Sequence, residues 1–166
     1  MNRLRSPVLQ VLLALALLLA GCASKPRLVY HSFGFDMLAD SPDAELLDYR
    51  YGTSMQPGAR PSEWSLKQGK IRQYAGTTGE MVLGDSLYAK WRNKSTGEVL
   101  EDTVPLSGRL PGDITNHQVY FVIEGRQLHV YLISPDFRPR DFPVIGPKKY
   151  RDFKVYAIYP APVSPK

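Results

Sequence analysis

The chain reads as an all-β protein, an antiparallel β-sandwich that follows a cleaved N-terminal signal peptide. Short runs with period-two alternation recur from Leu28 to Tyr159, each bounded by Gly, Pro, Asn or Asp. Asn93–Gly97 and Gly125-Arg126 sit between complementary runs as hairpin turns. Helical periodicity is scarce, and 13 glycines and 14 prolines punctuate the 166 residues. About seven strands joined in this way favour two packed sheets. An immunoglobulin-like layout with Trp91 as the core indole is one arrangement, but strand count alone does not fix the order.

The first segment stands apart from that body. A basic start at Arg3 and Arg5 leads into an apolar run, Val8–Ala20, which closes on Leu19-Ala20-Gly21-Cys22. A positive head, a short apolar segment and small residues before a cut site mark a secretory signal peptide. A membrane span takes about 20 apolar residues. This run is shorter, contains Gln10 and follows Pro7. The order Leu-Ala-Gly-Cys resembles the lipobox of bacterial lipoproteins. That resemblance implies removal of residues 1–21 and acylation of Cys22, which becomes the membrane anchor. Several acyl chains hold a protein firmly where one does so only marginally. Ala23 and Ser24 follow with no aspartate, and similarity to Gram-negative lipoproteins then favours the outer membrane, with the body in the periplasm. Residues 22–27 form the lipidated tether.

The body spans residues 28–159. Leu28–Phe35 is the first strand, with Val29, His31, Phe33 and Phe35 on one face. Asp40-Ser41-Pro42-Asp43 is a turn cluster. Glu45–Tyr51 alternates as a strand that aligns Leu47, Tyr49 and Tyr51. Gly52–Ser65, with Pro57-Gly58 and Pro61, is the longest stretch without periodicity, and Trp64 is expected to pin its end to the body. Leu66–Tyr74 is a short helix or an edge strand, and Gly76–Gly79 a flexible link without the Lys-Ser/Thr of a phosphate loop.

Ser86–Arg92 alternates cleanly and Glu98–Val104 returns after the turn. Pairing Asn93 with Glu98 sets Trp91 against Leu100, Leu87 against Val104 and Lys90 against Glu101. Asp102 then falls opposite Ala89 on the apolar side, which asks for a bulge or a place at the sheet margin. After the loop Pro105–His117, Gln118–Glu124 and Gln127–Ile133 form the strongest hairpin. Its core face pairs Ile123 with Leu128, Phe121 with Val130 and Val119 with Leu132; its reverse face pairs Tyr120 with Tyr131 and Val122 with His129. Ser134–Lys149 is a long loop, Tyr150–Tyr159 a last strand, and residues 160–166 a proline-rich disordered tail.

Composition bounds the chemistry. Cys22–Lys166 is 145 residues, one domain by size. Without Arg3 and Arg5 its 19 basic residues face 16 acidic ones, a mild excess of +3 that does not call for nucleic acid. With Cys22 acylated, no thiol remains for a disulfide or as a nucleophile. No Gly-x-Ser-x-Gly or His-Glu-x-x-His occurs. His31, His117 and His129 lie on different predicted elements, and their spacing asks for no metal. Glu80, Asp85, Glu98, Glu101 and Asp102 offer carboxylates of the glycosidase kind, but a Glu-rich hairpin flank beside Lys90 and Arg92 is expected to be solvated. The chain is thus expected to be no enzyme and to need no cofactor.

Two features suit recognition of a protein partner. One is the reverse face of the second hairpin, with Tyr120, His129 and Tyr131, since tyrosine offers a large contact area with a polar tip. Its alternative is a second buried layer under the long loop. The other is Phe137–Phe142 with Arg138 and Arg140, followed by Lys148, Lys149 and Arg151, a basic aromatic loop suited to an acidic protein surface, a lipid headgroup or a glycan phosphate, and otherwise a solvated connection. Gly84–Leu132 is similar to small proteobacterial lipoproteins, through GDSLYAKWRNKSTGEVLEDTV and HQVYFVIEGRQLHVYLI. More loosely the chain resembles β-rich lipoproteins that act as immunity proteins in the periplasm. With the anchor that the resemblance implies, the aromatic-polar strand face and the lack of nucleophile motifs point to a lipid-anchored module that captures a protein partner, an immunity role being one version. A structural envelope lipoprotein touching peptidoglycan or the membrane surface is the alternative.

Overall fold

The computed structural model describes residues 28–160. The signal peptide, Cys22, the tether and residues 161–166 lie outside the described residues. Eight strands follow one another: β1 Leu28–Asp36, β2 Ala44–Tyr51, β3 Tyr74–Val82, β4 Ser86–Asn93, β5 Val99–Pro105, β6 Gln118–Glu124, β7 Gln127–Phe137 and β8 Phe153–Tyr159. Two short helices interrupt them, α1 Met37–Asp40 and α2 Glu63–Gln68. No helix among the described residues is long and apolar enough to cross a membrane.

A five-stranded sheet ordered β3-β1-β6-β7-β8 faces a three-stranded sheet ordered β2-β4-β5. The fold is all-β and sandwich-like. Every pairing is antiparallel except β1 with β6, which run parallel from Ser32/Gln118 to Gly34/Tyr120. The constant-type immunoglobulin layout divides seven strands four and three; here the division is five and three.

The core forms where alternation points both inner faces at each other. Val29, His31, Phe33 and Phe35 of β1 all turn inward, as their spacing predicts. Phe33 stacks on Tyr51 from the other sheet at 4.7 Å between ring centroids, and Phe35 meets Tyr49 edge-on at 4.7 Å. Trp91 is buried and donates its indole N–H to the carbonyl of Gly125 at 3.1 Å. That bond ties the three-stranded sheet to the turn of the second hairpin.

Both predicted hairpins have the expected register. Trp91 faces Leu100, Leu87 faces Val104 and Lys90 faces Glu101, their ion pair 3.5 Å long. Asp102 does lie opposite Ala89, on an edge strand, and accepts the N–H of Thr103 at 2.7 Å. Tyr120 faces Tyr131 and Glu124 faces Gln127.

Other elements depart from expectation. The Gly76–Gly79 link is the middle of β3, because β1 supplies a nine-residue ladder from Leu28/Val82 to Asp36/Tyr74 that this polar stretch does not announce alone. A bulge between Leu46 and Asp48 puts Leu46, Tyr49 and Tyr51 into the core and leaves Leu47 half-buried. Trp64 does not pin its loop: it is 65% exposed on α2, a helix with no buried residue, started by the Ser62 hydroxyl accepting from the Ser65 N–H. The last strand begins at Phe153, since Tyr150 closes a 3-10 turn. Register shifts against β7 then bury Val155 and Ile158 on opposite sides of the sheet.

Candidate functional site

The tyrosine face predicted from sequence is the outer face of the five-stranded sheet, and a second apolar layer covers part of it. Tyr120, Val122, Ile133 and Val155 are buried there beneath Tyr150 and Phe153. Tyr120 is 1% exposed, and its hydroxyl donates to the Asp40 carboxylate at 2.8 Å. Burial first, then that carboxylate, raises its pKa well above the ordinary tyrosine value. The ring of Tyr150 meets it edge-on at 5.2 Å. Tyr120 therefore leaves the set of partner-binding residues, because no partner reaches a ring enclosed on both sides.

The others divide. Tyr131 and His129 are half-buried and stacked at 6.3 Å, with His129 Nε2 3.7 Å from the Glu124 carboxylate. Gly146 closes over Tyr131 with φ +78; a Cβ there would lie 2.9 Å from Val155 and 3.2 Å from the Tyr131 ring, so only glycine fits. Arg138 donates to the carbonyls of Arg151, Pro139 and Phe142 at 3.0, 3.2 and 2.7 Å. Its guanidinium holds the loop closed upon itself. Arg140 is exposed.

The histidines and carboxylates named above also find places. His31 is buried, with Nδ1 2.8 Å from the Val29 carbonyl and Nε2 2.9 Å from the Tyr51 hydroxyl. The carbonyl can only accept, so Nδ1 carries the proton and Tyr51 donates to Nε2. Burial lowers the His31 pKa and raises that of Tyr51 to about 12. Glu98 is bonded to Arg126, and Glu101 to Lys90 and the Tyr88 hydroxyl. Among the described residues no group of three His, Cys, Asp or Glu side chains is placed to hold a metal ion.

A cleft of about 640 Å³ opens elsewhere, between the segment 52–62, α2 and the start of β3. Its local construction begins with the edge strands. The two sheets leave a gap between β2 and β3, and residues 52–62 close it. Gly52 N–H donates to the Ser86 carbonyl at 2.8 Å, Tyr51 N–H to Ala59 at 3.0 Å, and the Gln56 amide to Glu80 at 3.0 Å. Gly58, at φ +92, sits so near β3 that a Cβ would lie 3.1 Å from the Gly76 carbonyl. The segment is thereby fastened along an edge that would otherwise show free backbone groups.

Beyond α2 the chain is fastened again at Gln73. Its side chain accepts from the Leu46 N–H at 2.8 Å and donates to the Leu46 carbonyl at 3.1 Å, while its own carbonyl accepts from Met37 N–H at 2.8 Å. Arg72 and Tyr74 flank this fixed residue and line the cleft. Tyr49 lines it from within the core, burial raising its pKa to about 12 against the pull of nearby Arg72. Tyr74 is 64% exposed and Met55 75%, and Arg60 donates to the Met55 sulfur at 3.1 Å.

Among the described residues neither Arg60 nor Arg72 forms an ion pair with a carboxylate. A thioether is a weak acceptor. Each guanidinium lines the cleft beside apolar and aromatic walls and is free to pair with a carboxylate or phosphate. None of Met55, Arg60, Arg72 and Tyr74 stands out in the sequence. The available signal is the aperiodic length of residues 52–65, since loops of that size without regular structure are commonly functional. Comparison with protein-family models, with curated proteins and with solved structures gave no match.

Proposed function

We propose that this chain is a lipid-anchored, non-enzymatic binding protein of the bacterial envelope, held to the outer membrane through Cys22, whose β body captures a protein partner in the cleft. An immunity-type role against a periplasmic effector is one form of this. The lipobox-like Leu19-Ala20-Gly21-Cys22 supports the anchor and the periplasmic location. The observation that carries the partner site is the pair Arg60 and Arg72, without carboxylate partners among the described residues, beside the exposed Tyr74 and Met55. Exposed arginine and tyrosine at a concave site are the residue types that dominate interface energetics. The cleft replaces the Tyr120 face as the recognition surface, because Tyr120 is enclosed.

The test is co-purification from detergent-solubilised envelopes under matched expression. A partner recovered with the wild type is expected to be lost from Arg60→Glu/Arg72→Glu and kept by Arg140→Glu. Loss with Arg140→Glu and retention with the arginine pair reversed would contradict the assignment. Phase partition into detergent, abolished by Cys22→Ser, tests the anchor separately.

A further inference from the structure

The described body begins at Leu28, six residues after Cys22. A chain of that length reaches at most about 20 Å. If acyl chains hold Cys22 in a leaflet, the Leu28 end of β1 stays within that distance of it. The surface around that end is therefore kept within reach of lipid for as long as the protein is anchored.

Its composition suits such contact. Leu28 and Tyr30 alternate with the core residues of β1, so they lie on the outer face of the five-stranded sheet, 60% and 49% exposed. Gln118 pairs with Ser32 and so stands only about 13 Å along β1 from Leu28. The Tyr150 hydroxyl donates to Gln118 at 2.7 Å and its ring meets Tyr120, which is level with Gly34, so the turn Lys148–Tyr150 lies over the middle of that outer face. The loop that carries this turn also exposes Val144, at 64%, and Arg140.

Charge agrees with position. Segment 136–154 has six basic residues and three acidic ones, a surplus equal to the whole +3 of the chain from Cys22 onward. Asp136 pairs with Lys154 and Asp152 with Arg151; Arg140, Lys148 and Lys149 have no ion pair among the described residues. Lys149 lies over the Tyr150 ring at 5.3 Å. Cations beside exposed aliphatic and aromatic side chains are the pattern of a surface that rests at the interface of an anionic bilayer.

We infer that the outer face of the five-stranded sheet, with the basic loop that folds over it, docks on the anionic leaflet that holds the acyl chains. This rests on the lipid-anchor reading of Cys22. Docking by Arg140, Lys148 and Lys149 fixes the orientation of the body, where the acyl chains alone would let it swing.

The full acylated protein can be tested directly, because its sole cysteine is the lipidated one and any cysteine introduced is the sole free thiol. A fluorophore is placed at Val144→Cys or, as the distal control, at Trp64→Cys. Each protein is reconstituted in phosphatidylethanolamine–phosphatidylglycerol vesicles doped with brominated lipid. The label at 144 is expected to be quenched and the label at 64 not. Reversing Arg140, Lys148 and Lys149 to Glu, with circular dichroism unchanged, should lower the docked-to-free ratio more than about tenfold. Flotation with the vesicles should persist in that variant.

A label at 144 that stays as water-exposed as the one at 64, in protein that floats, overturns the docking and leaves the anchor standing. Wild-type protein that fails to float, or floats no better than Cys22→Ser, removes the anchor and the docking together. Binding to purified sacculi that is lost on the same charge reversals, with 144 unquenched on vesicles, would assign the basic loop to the cell wall instead.

Discussion

His31 shows how far one buried polar side chain commits its surroundings. Folded protein holds it neutral, since burial depresses its pKa below 6.5. The unfolded chain takes up the proton at its ordinary pKa, so the stability contributed by the neutral ring is full above about pH 6.5 and falls as pH drops below it. Urea midpoints should decline from neutral pH to about pH 5, and His31→Phe should flatten that slope. The same variant should cost about 1–3 kcal/mol at neutral pH, because the Val29 carbonyl loses its donor and Tyr51 its acceptor.

Gly84 is equally constrained. A Cβ there would sit 2.5 Å from Cε2 of Tyr51. Gly84→Ala should lower the denaturation midpoint by an amount corresponding to about 1–3 kcal/mol. Tyr120→Phe separates structure from recognition. Removing the hydroxyl that binds Asp40 should cost about 1 kcal/mol of stability in urea and leave partner recovery unchanged. Partner loss at full stability would restore Tyr120 to the recognition surface.

Elements were legible in proportion to how much of their pattern is local. The β4–β5 and β6–β7 hairpins carry their own alternation and their own turns, so even the pairing of Lys90 with Glu101 follows from counting outward from Asn93 and Glu98. Strand β3 carries neither. Gly76, Thr77, Thr78 and Gly79 become a strand because β1 lies alongside, with the Ser32 and Thr78 hydroxyls 2.8 Å apart. The β2 bulge is a tertiary effect too, since strict alternation would have turned Leu47 inward and left Leu46 out. Trp64 misleads for a simpler reason: a large apolar residue next to a loop suggests an anchor, yet here it stays in solvent. The cleft was hidden because Arg60, Arg72 and Tyr74 come together only when residues 52–62 close the gap between sheets. Freeing the stretch beyond α2, which carries Arg72 and Tyr74, should be measurable. Gln73→Ala removes its side-chain bonds to Leu46, so amides of residues 69–74 should exchange faster while those of β6 and β7 stay protected.

For the whole molecule, the sandwich sets the start of β1 and the cleft at opposite ends of one strand. The Leu28 end is short-tethered to Cys22, and the opposite end of β1 presents the arginine-lined cleft beside Tyr74. Stability without a disulfide comes from one aromatic core shared by both sheets, with a smaller layer under the long loop. That smaller layer also explains why a tyrosine-rich strand face is a poor guide to recognition here: the loop of residues 138–152 folds back over it, fixed by Arg138 and Gly146.

The most direct measurement is photo-crosslinking in intact envelopes, with a photoreactive residue at Tyr74 in one protein and at Tyr131 in another. A discrete adduct at 74 that disappears with Arg60→Glu/Arg72→Glu, and none at 131, is the expected result. An adduct at 131, with position 74 silent or indifferent to the arginines, would contradict the assignment of the cleft as the partner site.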